Sequence, residues 1–147
     1  MEGIKNLIVT CSDDKYGDFL INHWFNSLKD NVDLSNIKIV VLDYGLTKVQ
    51  KKFLKRENIL IRKCEKNGHI TSIRYRDMAN FLDKHKYDQV LSIDGGDIIF
   101  QNDINEVFEK NKNSFRAVCE DLIPPFEELF LKSNFKKEYI SKIQKVL

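Results

Sequence analysis

Hydrophobic and polar residues follow one another along this chain in blocks of two kinds, short apolar runs and longer stretches of helical spacing. Leu7-Ile8-Val9-Thr10-Cys11 is a partly β-branched apolar run that stops at Ser12-Asp13-Asp14-Lys15, the pattern of a buried strand opening into a polar loop. From Asp18 the apolar positions Phe19, Leu20, Trp24, Phe25 and Leu28 recur at three- and four-residue intervals, which predicts a helix with one face on a sheet. Ile37 to Leu42 predicts a second strand. Asp43-Tyr44-Gly45 turns the chain, Thr47 is placed to cap a helix, and Val49, Phe53 and Leu54 form the expected buried stripe of that helix. Ile59-Leu60-Ile61 predicts a third strand. After the loop Lys66-Asn67-Gly68-His69, the residues Ile73, Met78, Phe81 and Leu82 space out another amphipathic helix ending near Lys86. Asp88 to Asp94 predicts a fourth strand, Ile98-Ile99-Phe100 resumes an extended pattern, Ile104 to Glu109 is a short helix, and Phe115 to Cys119 is a fifth strand.

Strands that alternate with helices of this length predict an α/β fold, a mainly parallel sheet with helices on both faces. Ligands of such sheets bind beyond the carboxyl ends of the strands. Pro124-Pro125 interrupts the alternation, so residues 1–123 are expected to form the α/β domain. Residues 124–147, with Phe126, Leu129, Phe130, Phe135, Tyr139, Ile140 and Ile143, are expected to form a helical extension that needs a surface to pack on.

Composition narrows the partners. The 147 residues are 42% apolar and 31% charged, which suits one compact domain. The net charge of +2 is too small to argue for nucleic acid or a membrane surface. No apolar run approaches the roughly 20 residues of a transmembrane segment, and Met1-Glu2-Gly3-Ile4-Lys5 lacks a secretory signal's apolar core, so a cytoplasmic protein is expected. Charge is uneven: Lys48 to Lys66 has eight basic and two acidic residues, net +6, and Asp77 to Glu109 has two basic and eight acidic, net −6. Solvated helix faces are the simpler reading of both. Cys11, Cys64 and Cys119 fit neither a disulfide framework nor a metal knuckle, and reduced, packed thiols are expected.

Candidate chemistry concentrates in Ser92-Ile93-Asp94-Gly95-Gly96-Asp97, where two carboxylates flank a glycine pair at the carboxyl end of an apolar strand. Unneutralised acids repel one another, and a divalent cation removes that penalty. Mg²⁺ or Mn²⁺ takes one or two protein carboxylates together with phosphate oxygens, and the glycines let a diphosphate approach the backbone. An ordinary turn explains the same segment equally well. A second acidic element, Asp13-Asp14-Lys15-Tyr16, follows the first strand and falls on the same rim. Asp13 suits the N–H edge of a base and Tyr16 its face. An Asx-type turn leading into a helix is the competing explanation for the acids.

Cys11 to Tyr16, Val41 to Thr47, and Val90 to Phe100 stand in the order and approximate spacing of the retaining, sugar-nucleotide-dependent glycosyltransferases related to glycogenin and bacterial lipooligosaccharide galactosyltransferase. The resemblance covers roughly residues 4 to 122. It implies a GT-A fold, a Rossmann-like nucleotide-sugar domain whose Asp-X-Asp motif holds Mn²⁺ or Mg²⁺ on the diphosphate of a donor such as a UDP-sugar. Carried over, Asp13 contacts the base, Tyr16 stacks on it, and Asp97 ligates the metal. Asp94 is the first acid displaced by one glycine, or Gly95 occupies that position. The arginine that meets the donor is Arg76, with Arg74 as the alternative. Lys15 stands where the family often has asparagine, which bears on base choice.

The family's second half, with a metal-completing histidine in a His-X-X-Gly-X-X-Lys-Pro-like stretch and the acceptor site, has no counterpart here. His23, His69 and His85 lie outside any such motif, so the chain is expected to be a partial, donor-binding one with no assigned catalytic residue and an unknown acceptor, whether glycan, lipid or protein. The competing readings are a non-catalytic nucleotide-sugar-binding module and, behind it, a phospho-acceptor receiver domain, which lacks the required aspartate at the end of strand three. Nucleic-acid binding has only the lysine-rich Lys48 to Lys66 stretch in its favour.

Overall fold

A computed structural model of the protein describes residues 6–118. The chain divides at Lys112/Asn113, and the unit up to Lys112 contains the sheet. Four strands, β1 (Asn6–Ser12), β2 (Ile37–Asp43), β3 (Leu60–Lys63) and β4 (Gln89–Ser92), form one parallel sheet in the order β3-β2-β1-β4. Between β1 and β2 lie α1 (Gly17–Phe19), a π-helical segment (Leu20–Phe25) and α2 (Asn26–Asn31), which follow one another directly. The helices α3 (Lys48–Arg56), α4 (Ile70–Leu82) and α5 (Asn105–Glu109) complete the unit.

The central strands β1 and β2 are apolar on both sides because helices cover both sides. On one side Ile8, Ile39 and Val41 pack with Leu20, Trp24, Leu28, Leu54 and Phe108; on the other Leu7, Val9, Val40 and Leu42 pack with Ile73, Phe81 and Tyr44. Connectivity accounts for the division. β1, β2 and β3 advance across the sheet in one direction, and α4 then carries the chain back past β1 to β4. Right-handed crossovers running in opposite directions place their helices on opposite faces. The edge strands β3 and β4 are four residues each and largely exposed, which limits the unpaired edge left for other chains.

Local chemistry sets the ends. Thr47 caps α3 as expected, its hydroxyl accepting from Gln50 N while Gln50 Oε1 accepts from Thr47 N, a reciprocal capping box. Asn58 (φ 60°) closes the helix in the left-handed conformation that asparagine tolerates. The expected buried stripe of α3 is corrected in one place: Val49 is 79% exposed and Gln50, 5% exposed, is buried instead. Phe100 is buried too, but no ladder holds it; its N–H donates to Ser27 Oγ and its carbonyl accepts from Asn31 Nδ2, with Trp24 edge-on at 5.3 Å. The expected fifth strand is not formed at 115–118, and Cys119 lies outside the described residues, as do Pro124-Pro125 and the expected 124–147 extension. Among the described residues no helix is long and apolar enough to cross a membrane.

Candidate functional site

The direction of the connections reverses at β1, between β2 and β4, and it is outside the carboxyl ends of the strands at such a reversal that parallel α/β sheets bind ligands. Register makes the ends of β1 and β4 unequal. β4 pairs with β1 only from Asn6↔Gln89 to Val9↔Ser92, whereas β2 pairs with it as far as Ser12↔Asp43. Thr10, Cys11 and Ser12 thus run on past the last β4 partner, and the Asp94-Gly95-Gly96-Asp97 turn lies across them. A Cβ on Gly95 would stand 2.6 Å from Thr10 Oγ1 and 3.0 Å from both the Cys11 carbonyl and Leu20 Cδ1, so only glycine fits that crossing. A Cβ on Gly96 would stand 3.1 Å from the Tyr16 ring. The two elements singled out in the sequence therefore touch.

Three strand ends on this rim carry an aspartate, and each is matched by a cation. At β1, Asp13 is buried; its Oδ1 accepts from Tyr16 N at 3.3 Å and its Oδ2 from Lys66 Nζ at 3.2 Å. At β2, Asp43 is buried; its Oδ1 accepts from the backbone N–H groups of Gly45 and Leu46 at 2.9 and 2.6 Å, and its Oδ2 from Lys51 Nζ at 3.2 Å. At β4, Asp94 is exposed and paired with Arg74. Buried carboxylates persist only with such partners, which explains the first two pairs.

Arg74 also donates to Tyr75 Oη at 3.2 Å, with its guanidinium carbon 5.0 Å from that ring, while its Nε is buried without a partner among the described residues. Behind it Thr10, Cys11, Met78 and Ser92 help line a space of about 10 Å³, room for a single water. A larger ligand has to lie over the outer rim.

Arg76 is placed elsewhere. It grips Asp77 through Nε at 2.9 Å and Asn67 through Nη1 at 2.9 Å, and Asp77 in turn accepts from Tyr44 Oη at 2.6 Å. Positions two apart on a helix point about 200° away from one another, so Arg74 and Arg76 cannot serve the same spot. Of the expected pair, the alternative Arg74 is the one that meets Asp94. Burial, the Asp77 hydrogen bond and the charges of Cys64 and Asp77 push the Tyr44 hydroxyl well above its ordinary range.

Tyr16 is half-exposed beside Gly96, with Lys15 Nζ 5.0 Å from its ring. The loop that carries it is held from below by Gln50, whose Nε2 donates to Asp14 O at 3.3 Å and Asp18 Oδ1 at 2.9 Å. Asp97 is exposed at the end of the glycine turn. Asp94 and Asp97 are two carboxylates on one exposed turn, the ligand type Mg²⁺ or Mn²⁺ takes when phosphate oxygens and water complete its shell. No group of three His, Cys, Asp or Glu side chains able to hold a metal by themselves occurs among the described residues. His23 packs on Phe19, His69 contacts Thr71 Oγ1, and His85 contacts the Phe81 carbonyl at the end of α4. Burial raises the Cys11 thiol above its ordinary pKa and pushes Cys64 up to about 11, which suits packed thiols rather than nucleophiles.

Sequence reasoning did not single out Lys66, Lys51 or Gln50. The first two lay in a uniformly basic stretch with nothing local to distinguish them; Gln50 was detectable as the fourth residue of a Thr-X-X-Gln capping box. No protein-family model matches the chain, and no curated protein matches it.

Proposed function

We propose that this rim binds a nucleoside diphosphate sugar and that the chain is the donor-binding part of a metal-dependent glycosyltransferase of the GT-A, Rossmann-like kind. The observation that carries the reading is the contact between the glycine turn and the Tyr16 loop at the reversal of strand order, where Arg74 and Lys66 stand beside Asp94 and Asp13. In this reading Tyr16 stacks on the base, Asp13 accepts from its N–H edge, and Arg74 and Lys66 meet the phosphates. Both cations already neutralise rim carboxylates, so an arriving diphosphate shares them without stranding a charge. Asp94 and Asp97 would hold Mg²⁺ or Mn²⁺, which supplies electrostatic stabilisation of a diphosphate leaving group. Arg76 belongs to the Asp77–Tyr44 network and acts by holding α4 to the end of β2.

Calorimetric titration of the chain with UDP, with and without Mn²⁺, tests the proposal. The expected result is binding that depends on Mn²⁺ and is lost in Asp97→Ala. Equal UDP affinity with and without metal, unchanged in Asp97→Ala, refutes the metal part, and no UDP affinity in any condition refutes the whole. The alternative, a non-catalytic nucleotide-sugar-binding module, is separated by incubation with a radiolabelled UDP-sugar: chelator-sensitive hydrolysis or transfer excludes it.

A further inference from the structure

The nine residues of α3 include four lysines, one arginine and no acid. Helix electrostatics does not call for this. Lys48 lies in the first turn, where the helix dipole disfavours a cation, and Lys48/Lys52, Lys51/Lys55 and Lys52/Arg56 are like charges one turn apart. Packing does not call for it either, since the buried side of α3 is Gln50 and Leu54. At 100° per residue the five cations fall within an arc of about 140°, with Val49 at its margin.

Their compensation is partial. Lys51 has Asp43 at 3.2 Å and Arg56 has Glu57 at 3.7 Å, but Lys48, Lys52 and Lys55 have no carboxylate within ion-pair distance among the described residues. Among the described residues, Lys48, Lys51, Lys52 and Lys55 line an open depression of about 350 Å³. Val49 is 79% exposed although it is an apolar residue in a helix with a formed buried side.

We propose that this face of α3 binds the surface of an anionic phospholipid bilayer, with the lysines among the headgroups and Val49 against lipid. Charge complementarity favours it, because lysine clusters on a surface helix are attracted by the negative potential of such a leaflet. The composition of the face selects lipid over nucleic acid. Lysine is a hydrated point charge without the bidentate reach of arginine, and a single-strand binder needs open aromatic rings. The one ring on α3, Phe53, is covered by Phe25 at 6.2 Å and by Arg56 at 5.1 Å. An exposed valine gains from lipid and nothing from a phosphodiester chain. The inference stands independently of the donor reading, since none of these residues belongs to the proposed nucleotide contacts.

Co-sedimentation of the full chain with phosphatidylcholine vesicles, with and without phosphatidylserine, tests it. Binding is expected only with phosphatidylserine, and is expected to fall as salt rises. Each exposed lysine near such a surface contributes about a fivefold factor in partitioning, so K48Q/K52Q/K55Q is expected to lose on the order of a hundredfold. Far-UV circular dichroism checks that the variant folds, and V49D, with the lysines intact, is expected to weaken vesicle binding as well. Equal binding to neutral vesicles, no binding to phosphatidylserine vesicles, undiminished binding by the folded triple variant, or tighter binding of a single-stranded RNA oligonucleotide at the same salt overturns the proposal.

Discussion

Among the contacts that position the loop bearing Tyr16 is that between Gly17 and Gln50, and its energetics can be measured by a sign reversal. A Cβ at Gly17 would stand 2.5 Å from Gln50 Oε1 and 2.6 Å from Nε2, so Gly17→Ala must expel the glutamine side chain. Expulsion breaks the bonds of Gln50 to Thr47 N (2.9 Å), Asp18 Oδ1 (2.9 Å) and Asp14 O (3.3 Å). At about 1 kcal/mol net for each, the loss is about 3 kcal/mol. Alanine at a helical position returns roughly 0.5–1 kcal/mol, which leaves Gly17→Ala destabilising by about 2 kcal/mol. In a Gln50→Ala background the obstruction and the three bonds are already gone, and Gly17→Ala should stabilise by about 0.5–1 kcal/mol. The two effects of one substitution therefore differ in sign, with a coupling of about 3 kcal/mol, at the upper end for residues in contact. Urea denaturation of the four chains, followed by circular dichroism, measures all the terms. If Gly17→Ala has the same effect in both backgrounds to within about 0.5 kcal/mol, Gln50 does not occupy that space and the account of the loop is wrong.

Two further outcomes follow from the same geometry. Gly95→Ala should cost about 1–3 kcal/mol, since its Cβ meets the Cys11 carbonyl and buried Thr10 and Leu20, whereas Gly96→Ala meets only a half-exposed tyrosine ring and should cost less; denaturant midpoints that rank them the other way contradict the crossing described. Cys64 is held up to about 11, chiefly by burial and then by the charge of Asp77. Its neutral form is favoured in the folded state, so its contribution is complete below the unfolded value of 9.0 and is lost as pH rises from there through 11. Alkylation of Cys64 by iodoacetamide, followed by peptide mass spectrometry, should accelerate about tenfold per pH unit across that interval, and a plateau near pH 9 would show an ordinary thiol.

Local pattern and tertiary arrangement contributed different things to this protein. Periodicity along the chain was enough to place β1, β2, β4 and α4 and the Thr47 cap, because strand and helix spacing and capping are consequences of neighbours within a few residues. It was also enough to nominate Asp13, Tyr16 and the Asp94-Gly95-Gly96-Asp97 turn as features of one rim, since parallel strands put their carboxyl ends on one side. It misjudged Val49 and Gln50, because the buried side of α3 is decided by what lies beneath it, and beneath it lies a loop with polar groups to satisfy. It also predicted a fifth strand that is not formed at 115–118, since an apolar run favours extension but does not by itself supply a partner strand.

Pairing of charges along the rim belonged to the fold. Lys66 lies 53 residues from Asp13 and Arg74 lies 20 from Asp94, separations across which no local rule operates. Which of Arg74 and Arg76 met the aspartate depended on the rotation of α4 against the sheet, set by Ile73 and Phe81 entering the core. Side-chain type along the chain thus determined what chemistry was present, and the packing of α3 and α4 on the sheet decided which groups share a site, because packing alone brings charges distant in sequence within a few ångströms.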